Sequence, residues 1–323
     1  MTKSNLIRHF ILWALGMATL WRVPVCRGPS RSQAGPHKQE PPSLDTHRQR
    51  VSIIIPARNE EHNLPNLLRS LRSQTTSADE IIVVDDQSTD HTALVAQRFG
   101  ARVVNAGDLP TGWMGKTWAC WVGAGQTNSA LLIFLDADTT LSRDGIERLL
   151  NEWRQCRGLL TIWPYHITIQ PYEWLSAFFN IVLMMGTTAF TPLGKRLRPT
   201  AAFGPCMVCG RDDYFLVGGH SAVKGALLDD ISFGRAFQRA GLPVHCLGGR
   251  DTIDFRMYPD GPGQMLEGWT KQFGKAATQT NFVTLLLIFG WIAGCINAAL
   301  LGIRALWPTP LAGGSQTRLA GLV

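Results

Sequence analysis

The cysteines of this 323-residue chain lack any pairing pattern: there are seven, an odd number, scattered from Cys26 to Cys295. That excludes a disulfide framework. Cys206-Met-Val-Cys209 has the spacing of half a zinc site, yet no second pair and no nearby His-x-x-x-His completes it, which leaves those thiols a structural role. Internal repeats and low-complexity arrays are also missing. Acidic residues are scarce between 22 and 50, where Arg22, Arg27, Arg31, Lys38, Arg48 and Arg50 face only Glu40 and Asp45 within a formal net charge of +7. The stretch is rich in Pro, Gly, Ser and Gln without an apolar period, so residues 26–50 read as a flexible basic linker beside an anionic surface. An apolar segment precedes it, which makes membrane lipid the expected partner and nucleic acid not.

Charge is absent altogether from Phe282 to Ile303, and a helix needs about 20 apolar residues to cross a bilayer. Residues 281–304 are therefore expected to form a transmembrane helix, followed by a short tail at 305–323. The run from Phe10 to Trp21 is only about half a span. No small-x-small cleavage pattern follows it, so an uncleaved anchor over residues 1–25 fits better than a signal peptide. The basic cluster after this segment exceeds Lys3 and Arg8 before it, and Lys271 and Lys275 precede the second run. The positive-inside rule then places residues 22–280 on the cytoplasmic side of the cell membrane.

Between the two ends, β-branched and apolar runs alternate with amphipathic stretches. Strands are expected at Val51–Ile55, Glu80–Val84, Arg102–Val104 and Leu131–Leu135, with helices around Leu64–Leu71, His91–Phe99, Lys116–Gln126 and Arg143–Trp153. Ser88-Thr89-Asp90 can cap the second of these helices. The alternation implies an α/β fold with a mostly parallel central sheet covered on both faces. After Gly158 the pattern loosens into strand candidates at Leu159–Trp163 and His166–Ile169. The long apolar segment from Tyr172 to Met185 is open to three readings: a membrane-interface helix, a core helix or, least favoured, a full span.

Acidic clusters punctuate this pattern. Asp85-Asp86 and Asp136-Ala137-Asp138 each follow a buried strand, at the rim where open α/β sheets bind ligands. Asp136 and Asp138 can bridge Mg²⁺ or Mn²⁺ to phosphate oxygens, and Asp86 can accept from ribose or base. Capping explains Ser88 and Asp90 but not a second acid at each strand end. Asp229-Asp230 open a helix expected over Ile231–Ala240, where an N-cap pair and a general base are equally good readings. Lys116 begins a helix, electrostatically the wrong end for a cation, so a role toward an anion explains it better than surface exposure.

The ordered set Val51-Ser52-Ile53-Ile54-Ile55-Pro56-Ala57-Arg58-Asn59-Glu60, Val84-Asp85-Asp86-Gln87-Ser88-Thr89-Asp90, Leu135-Asp136-Ala137-Asp138 and Asp229-Asp230 resembles the family 2 inverting glycosyltransferases of the GT-A fold, over about residues 51–275. Gly112-Trp113-Met114-Gly115-Lys116-Thr117-Trp118-Ala119, Phe203-Gly204-Pro205-Cys206, Gly218-Gly219-His220 and Asp254-Phe255-Arg256-Met257-Tyr258-Pro259 are most similar to its membrane-bound branch acting on carotenoid acids and hopanoids. The resemblance implies a catalytic domain over 51–280 that uses a nucleotide-diphosphate sugar, a UDP-sugar, and a lipid or isoprenoid acceptor. It implies that Pro56, Arg58, Glu60, Asp86, Lys116 and Asp136 serve the donor, that Asp138 with Asp136 holds the metal, and that Asp230 is the catalytic base.

Two departures qualify this. The Gln-x-x-Arg-Trp motif of processive members is replaced by Glu267-Gly268-Trp269-Thr270-Lys271, so transfer of a single sugar is expected. Related chains continue with further membrane helices, so the tail after Arg304 reads as a truncated end. A silent nucleotide-sugar-binding membrane protein and a nucleotidyltransferase are the alternatives. The first conflicts with the full set of acids, and the second would release pyrophosphate.

Overall fold

The uninterrupted apolar runs form the middle of the sheet, because a strand covered on both faces has no solvent side to mark with polar residues. This computed structural model describes residues 3–28, 49–192, 202–226, 229–277 and 280–306; most of the linker expected at 26–50 and nearly all of the tail at 305–323 lie outside them. β1 (Val51–Ala57) and β4 (Leu131–Leu135) are almost wholly buried. β2 (Glu80–Asp85) and β3 (Arg102–Asn105) extend the sheet beyond β1, and these four strands are parallel. On the other side come β8 (Cys206–Gly210), β6 (Leu159–Trp163) and β9 (Val244–Gly248), giving the order β3-β2-β1-β4-β8-β6-β9. β8 alone is antiparallel to its neighbours.

That reversed strand settles the Cys206/Cys209 spacing. Residues three apart in a strand point to opposite faces. Cys206 packs with Leu135 and Ile133, Cys209 with Leu132 and Tyr214 on the far side, and both thiols are free. The two faces carry separate cores. α2 (Leu64–Arg72), with a proline in its first turn, and α5 (Gly145–Cys156) bury Leu64, Leu67, Leu68, Leu149 and Trp153 against Ile53, Ile55 and Ile133. α4 (Gly115–Gly125) and α8 (Asp229–Arg239) bury Ala119, Ala124, Phe233 and Phe237 against Ile54, Val84 and Phe134.

Strand order reverses between β1 and β4, and the crevice outside the carboxyl ends at such a switch point is where open α/β sheets bind ligands. A second sheet, β5 (Thr139–Leu141), β10 (Ile253–Phe255) and β7 (Tyr165–His166), stands beside that rim. β7 is shorter than the expected His166–Ile169 strand: it pairs only with Asp254 and Phe255, and Ile167 and Ile169 turn out to the surface.

Four helices or helical stretches matter beyond the sheet. α10 (Phe282–Leu306) contains, at Phe282–Ile303, the one described helix long and apolar enough to cross a membrane. α1 (Lys3–Met17) packs on it, with Gly16 against Trp291 and Leu12 against Gly290. Its 15 residues reach about 22 Å, short of a hydrocarbon core of about 30 Å. Past Met17 the chain joins the sheet domain: Val25 bridges Gly248, the Gly248 N–H donates to the Pro24 carbonyl, and Cys26 is buried in the core. α6 (Glu173–Gly186) is inverted relative to α2, burying Glu173, Ser176, Asn180 and Met185 while Trp174 and Leu175 are exposed. α9 (Pro262–Ala277) packs beside it, Trp269 Nε1 donating to Ser176 Oγ at 2.9 Å.

Candidate active site

The rim loops after β1 and β2 are tied together before any ligand is considered. Asn59 takes a left-handed backbone (φ 57°), which places its amide to accept from the Thr89 N–H at 2.8 Å while its own N–H donates to Ser88 Oγ. The Glu60 N–H donates to Thr92 Oγ1, and the Glu61 N–H to Asp90 Oδ2. Asp90 also accepts the Thr92 N–H at the start of α3 (Thr92–Arg98), one residue before the N-cap position His91, and Ser88 instead latches the neighbouring loop.

This framework sets four of the residues singled out in the sequence. Pro56 stays within β1, opposite Val84. Arg58 projects beyond it, largely exposed, with Nη1 4.0 Å from Asp86 Oδ2. Asp86 is buried under the start of α4, where a Cβ on Gly115 would lie 2.2 Å from its Oδ2. Glycine at 115 is thus a requirement of the Asp86 position. Glu60 is half-buried; its recessed place and the nearby Asp136 and Asp90 raise its pKa against the lowering hydrogen bond from Asn63.

A second group shares one cavity of about 800 Å³, lined at one end by Lys116, Asp136, Asp138, Asp229 and Asp230. The Asp136 N–H donates to the Pro205 carbonyl, which fixes the β4 turn against the segment leading into β8. Lys116 Nζ reaches both carboxylate oxygens of Asp136, at 2.7 and 2.9 Å. Burial opposes the Lys116 charge, but Asp136, Asp230 and Asp229 outweigh it and hold the ammonium above its ordinary pKa. Asp138 reaches into the cavity mouth with its side chain solvent-accessible; desolvation by the surrounding cavity wall, with Asp136 and Glu60 near, pushes it up to about 7. Asp229 and Asp230 occupy the first turn of α8, so helix-start placement and a cavity-facing carboxylate coexist. Desolvation and then Asp229 raise Asp230 to about 7 as well, against Lys116 and the Gly204 N–H.

Gly204 is the site residue that the sequence signalled only as part of a signature. A Cβ there would meet both Asp230 carboxylate oxygens at 2.3 Å. Its backbone is delivered to the rim by β8, whose Cys206 pairs with Leu135 at the end of β4.

The cavity continues away from the acids between Phe178, Phe179 and Val182 of α6 and Leu285, Phe289 and Ile292 of α10. Beneath α6, Arg256 makes two hydrogen bonds to Glu173 Oε1, at 3.0 and 2.6 Å, and Asn180 Nδ2 lies 2.9 Å from His166 Nδ1. The Ile169 and Gln170 N–H groups also donate to Glu173, so this fully buried carboxylate is satisfied and held below its ordinary pKa despite the cost of desolvation.

A mostly parallel sheet with strand-end carboxylates at its switch point is the architecture of GT-A glycosyltransferases. The chain belongs to glycosyl transferase family 2, whose sequence profile matches residues 52–210, and it is a glycosyltransferase. It is 43% identical over 255 residues to 4,4'-diaponeurosporenoate glycosyltransferase of Staphylococcus haemolyticus (strain JCSC1435), covering 77% of this chain and 68% of that one. Its counterpart in Staphylococcus aureus (strain MRSA252) is 36% identical over 271 residues, covering 83% and 72%. Among solved structures, mannosyltransferase PcManGT from Pyrobaculum calidifontis, in complex with GDP-Man and Mn²⁺, superposes with a TM-score of 0.57 at 15% identity, over 94% of this chain and 88% of that one.

Proposed function

We propose that residues 51–280 transfer one sugar from a UDP-sugar to the polar end of a membrane-held isoprenoid or other lipid, with inversion at the anomeric carbon. The observation that carries this reading is the single cavity joining five charged side chains at the sheet rim to the apolar face of α10. The relatives' name points to a carotenoid acid as the acceptor. The basic residues after α1 favour a cytoplasmic catalytic domain at the cell membrane.

Asp136 and Asp138 suit a hard divalent cation, Mg²⁺ or Mn²⁺, because they offer only oxygen donors from one loop, and Asp136, Asp138 and the nearby Glu60 concentrate more negative charge there than Lys116 offsets. Among the described residues no cluster of three or more His, Cys, Asp or Glu could enclose an ion, which fits a metal completed by substrate oxygens. When bound, the ion would neutralise charge on the departing diphosphate.

The remaining roles belong to the chain. Asp86, Arg58, Glu60 and the backbone at Pro56 hold the nucleoside, and Lys116 faces the diphosphate. Asp230, positioned against Gly204, accepts the proton of an attacking hydroxyl; toward a carboxylate acceptor it orients the oxygen instead, since that group is already ionised at neutral pH.

The test is product analysis with the full chain in lipid vesicles, given sugar-labelled UDP-hexose, Mn²⁺ and a carotenoid acid. Label entering the organic extract with equimolar release of UDP is expected. Release of hexose 1-phosphate in place of UDP would replace this reading with nucleotidyl transfer, and donor binding without turnover would replace it with a silent binding protein.

A further inference from the structure

We infer that the acceptor's apolar chain lies in the cleft between α6 and α10, enters it sideways from the lipid, and is gripped there by Phe178, Val182 and Ile292. The inference rests on the proposed lipid acceptor and specifies where its tail goes. Leu285, Phe289 and Ile292 stand at i, i+4 and i+7, one stripe of α10, and all three face the cavity that ends at Asp138 and Asp230. α10 is also the helix fit to cross a membrane. One face of a membrane span is therefore a wall of the reaction cavity, and the path from bilayer to carboxylates is lined mainly by apolar side chains.

α6, the opposite wall, is oriented for the same surroundings. Its polar residues are turned inward: Glu173 is held by Arg256, Ser176 accepts from Trp269, and the Asn180 side-chain nitrogen lies beside His166. Its apolar residues Trp174 and Leu175 point out, at 68% and 45% exposure, following Ile169 at 64%. In water each such side chain forfeits about 25 cal/mol for every Å² left uncovered. Against a bilayer surface that cost disappears, as for helices that lie in the interface with an apolar face buried. α10 likewise exposes apolar side chains in its first turn, Phe282 and Val283 at 73% and 65%, so one lipid phase would cover both helices.

Volume completes the argument. A cavity of about 800 Å³ is the size that holds one drug-sized ligand. Donor sugar and a long acceptor together exceed that, so the distal part of the tail projects between the helices into the bilayer. Selection among acceptors then follows apolar length as well as the reacting group.

The test places tryptophan in the cleft, Val182→Trp and Ile292→Trp, in the full chain in phosphatidylcholine vesicles. KM is compared for a long-chain carotenoid acid and a short, water-soluble carboxylic acid, alongside UDP affinity with Mn²⁺. The long-chain KM should rise at least about tenfold, while UDP affinity and short-acceptor transfer stay within about twofold. Unchanged long-chain KM with intact UDP affinity overturns the inference. If a variant loses UDP affinity through misfolding, the wild-type chain is photolabelled with a fatty acid carrying a terminal diazirine. Labelling of peptides spanning α6 and α10, suppressed by unlabelled carotenoid acid, supports the cleft. Labelling confined to α1, or unaffected by competitor, overturns it. Transfer to lipid without cleft labelling would sink this inference alone, whereas absence of any transfer would sink the proposed function on which it rests.

Discussion

The loops after β1 and β2, beside the acidic end of the cavity, are cross-linked by polar contacts, whereas the cavity walls on the α6 side are aromatic and aliphatic surfaces with their hydrogen bonds hidden behind them. Asn59, Ser88, Thr89 and Asp90 fix the first rim without help from any ligand. Glu173, Asn180 and Arg256 do the same for the second, from beneath. One sheet rim thus carries a rigid polar seat and an apolar one side by side; in the proposed reaction the first takes the charged donor and the second the lipid. The carboxylates Asp138 and Asp230 stand at the seam.

The comparison breaks most visibly at the seam. Asp138→Asn should reduce transfer at least about 100-fold in a labelled-sugar assay, since metal-type charge stabilisation is worth several kcal/mol, with circular dichroism unchanged. Activity above about a tenth of wild type would remove Asp138 from the metal site. Asp230→Asn should cost about 100-fold with a hydroxyl acceptor and clearly less with a matched carboxylate acceptor. Equal losses on the two would mean that Asp230 orients the acceptor and takes no proton.

Smaller effects separate the two walls. Arg256→Ala leaves the buried Glu173 uncompensated and should destabilise by about 3 kcal/mol in chemical unfolding. Gly115→Ala pushes the Asp86 carboxylate aside and should weaken UDP about tenfold by calorimetry, leaving acceptor KM unaltered. The smallest effect is a pH slope. Asp138 and Asp230 sit near 7 in the fold against about 4 for free carboxyls, so the folded state holds extra protons between these values. Their contribution to stability is greatest at low pH, falls as pH rises from about 4 to about 7, and is flat above. Thermal melts should show a shallower fall in Asp138→Asn, and added Mn²⁺ should raise the wild-type Tm most above pH 7.

The first wall was legible in the sequence because Ile53-Ile54-Ile55 and Leu131–Leu135 are too apolar to be anything but buried strands, so the acids that follow had to emerge at one rim. The Asp230 environment was not legible. Its neighbour Gly204 arrives on β8, whose reversed direction is a pairing choice made across the sheet, and whose cysteines imitate a metal half-site. The expected helix at Ile231–Ala240 begins instead at Asp229, drawing both acids into its first turn. For α6 the polar stripe Glu173, Ser176 and Asn180 has helical spacing, but spacing does not say which face turns inward. That depends on partners such as Arg256, 83 residues away, and on whether water or lipid covers the other side.

The division of labour across the seam is tested most directly by calorimetric titration of UDP with Mn²⁺ into the Asp230→Asn chain, beside wild type and Asp138→Asn. Asp230→Asn should keep wild-type affinity within about twofold while Asp138→Asn loses the Mn²⁺-dependent part. An equal loss of UDP affinity in both variants would contradict that division of labour, placing Asp230 in the donor seat and not between donor and acceptor.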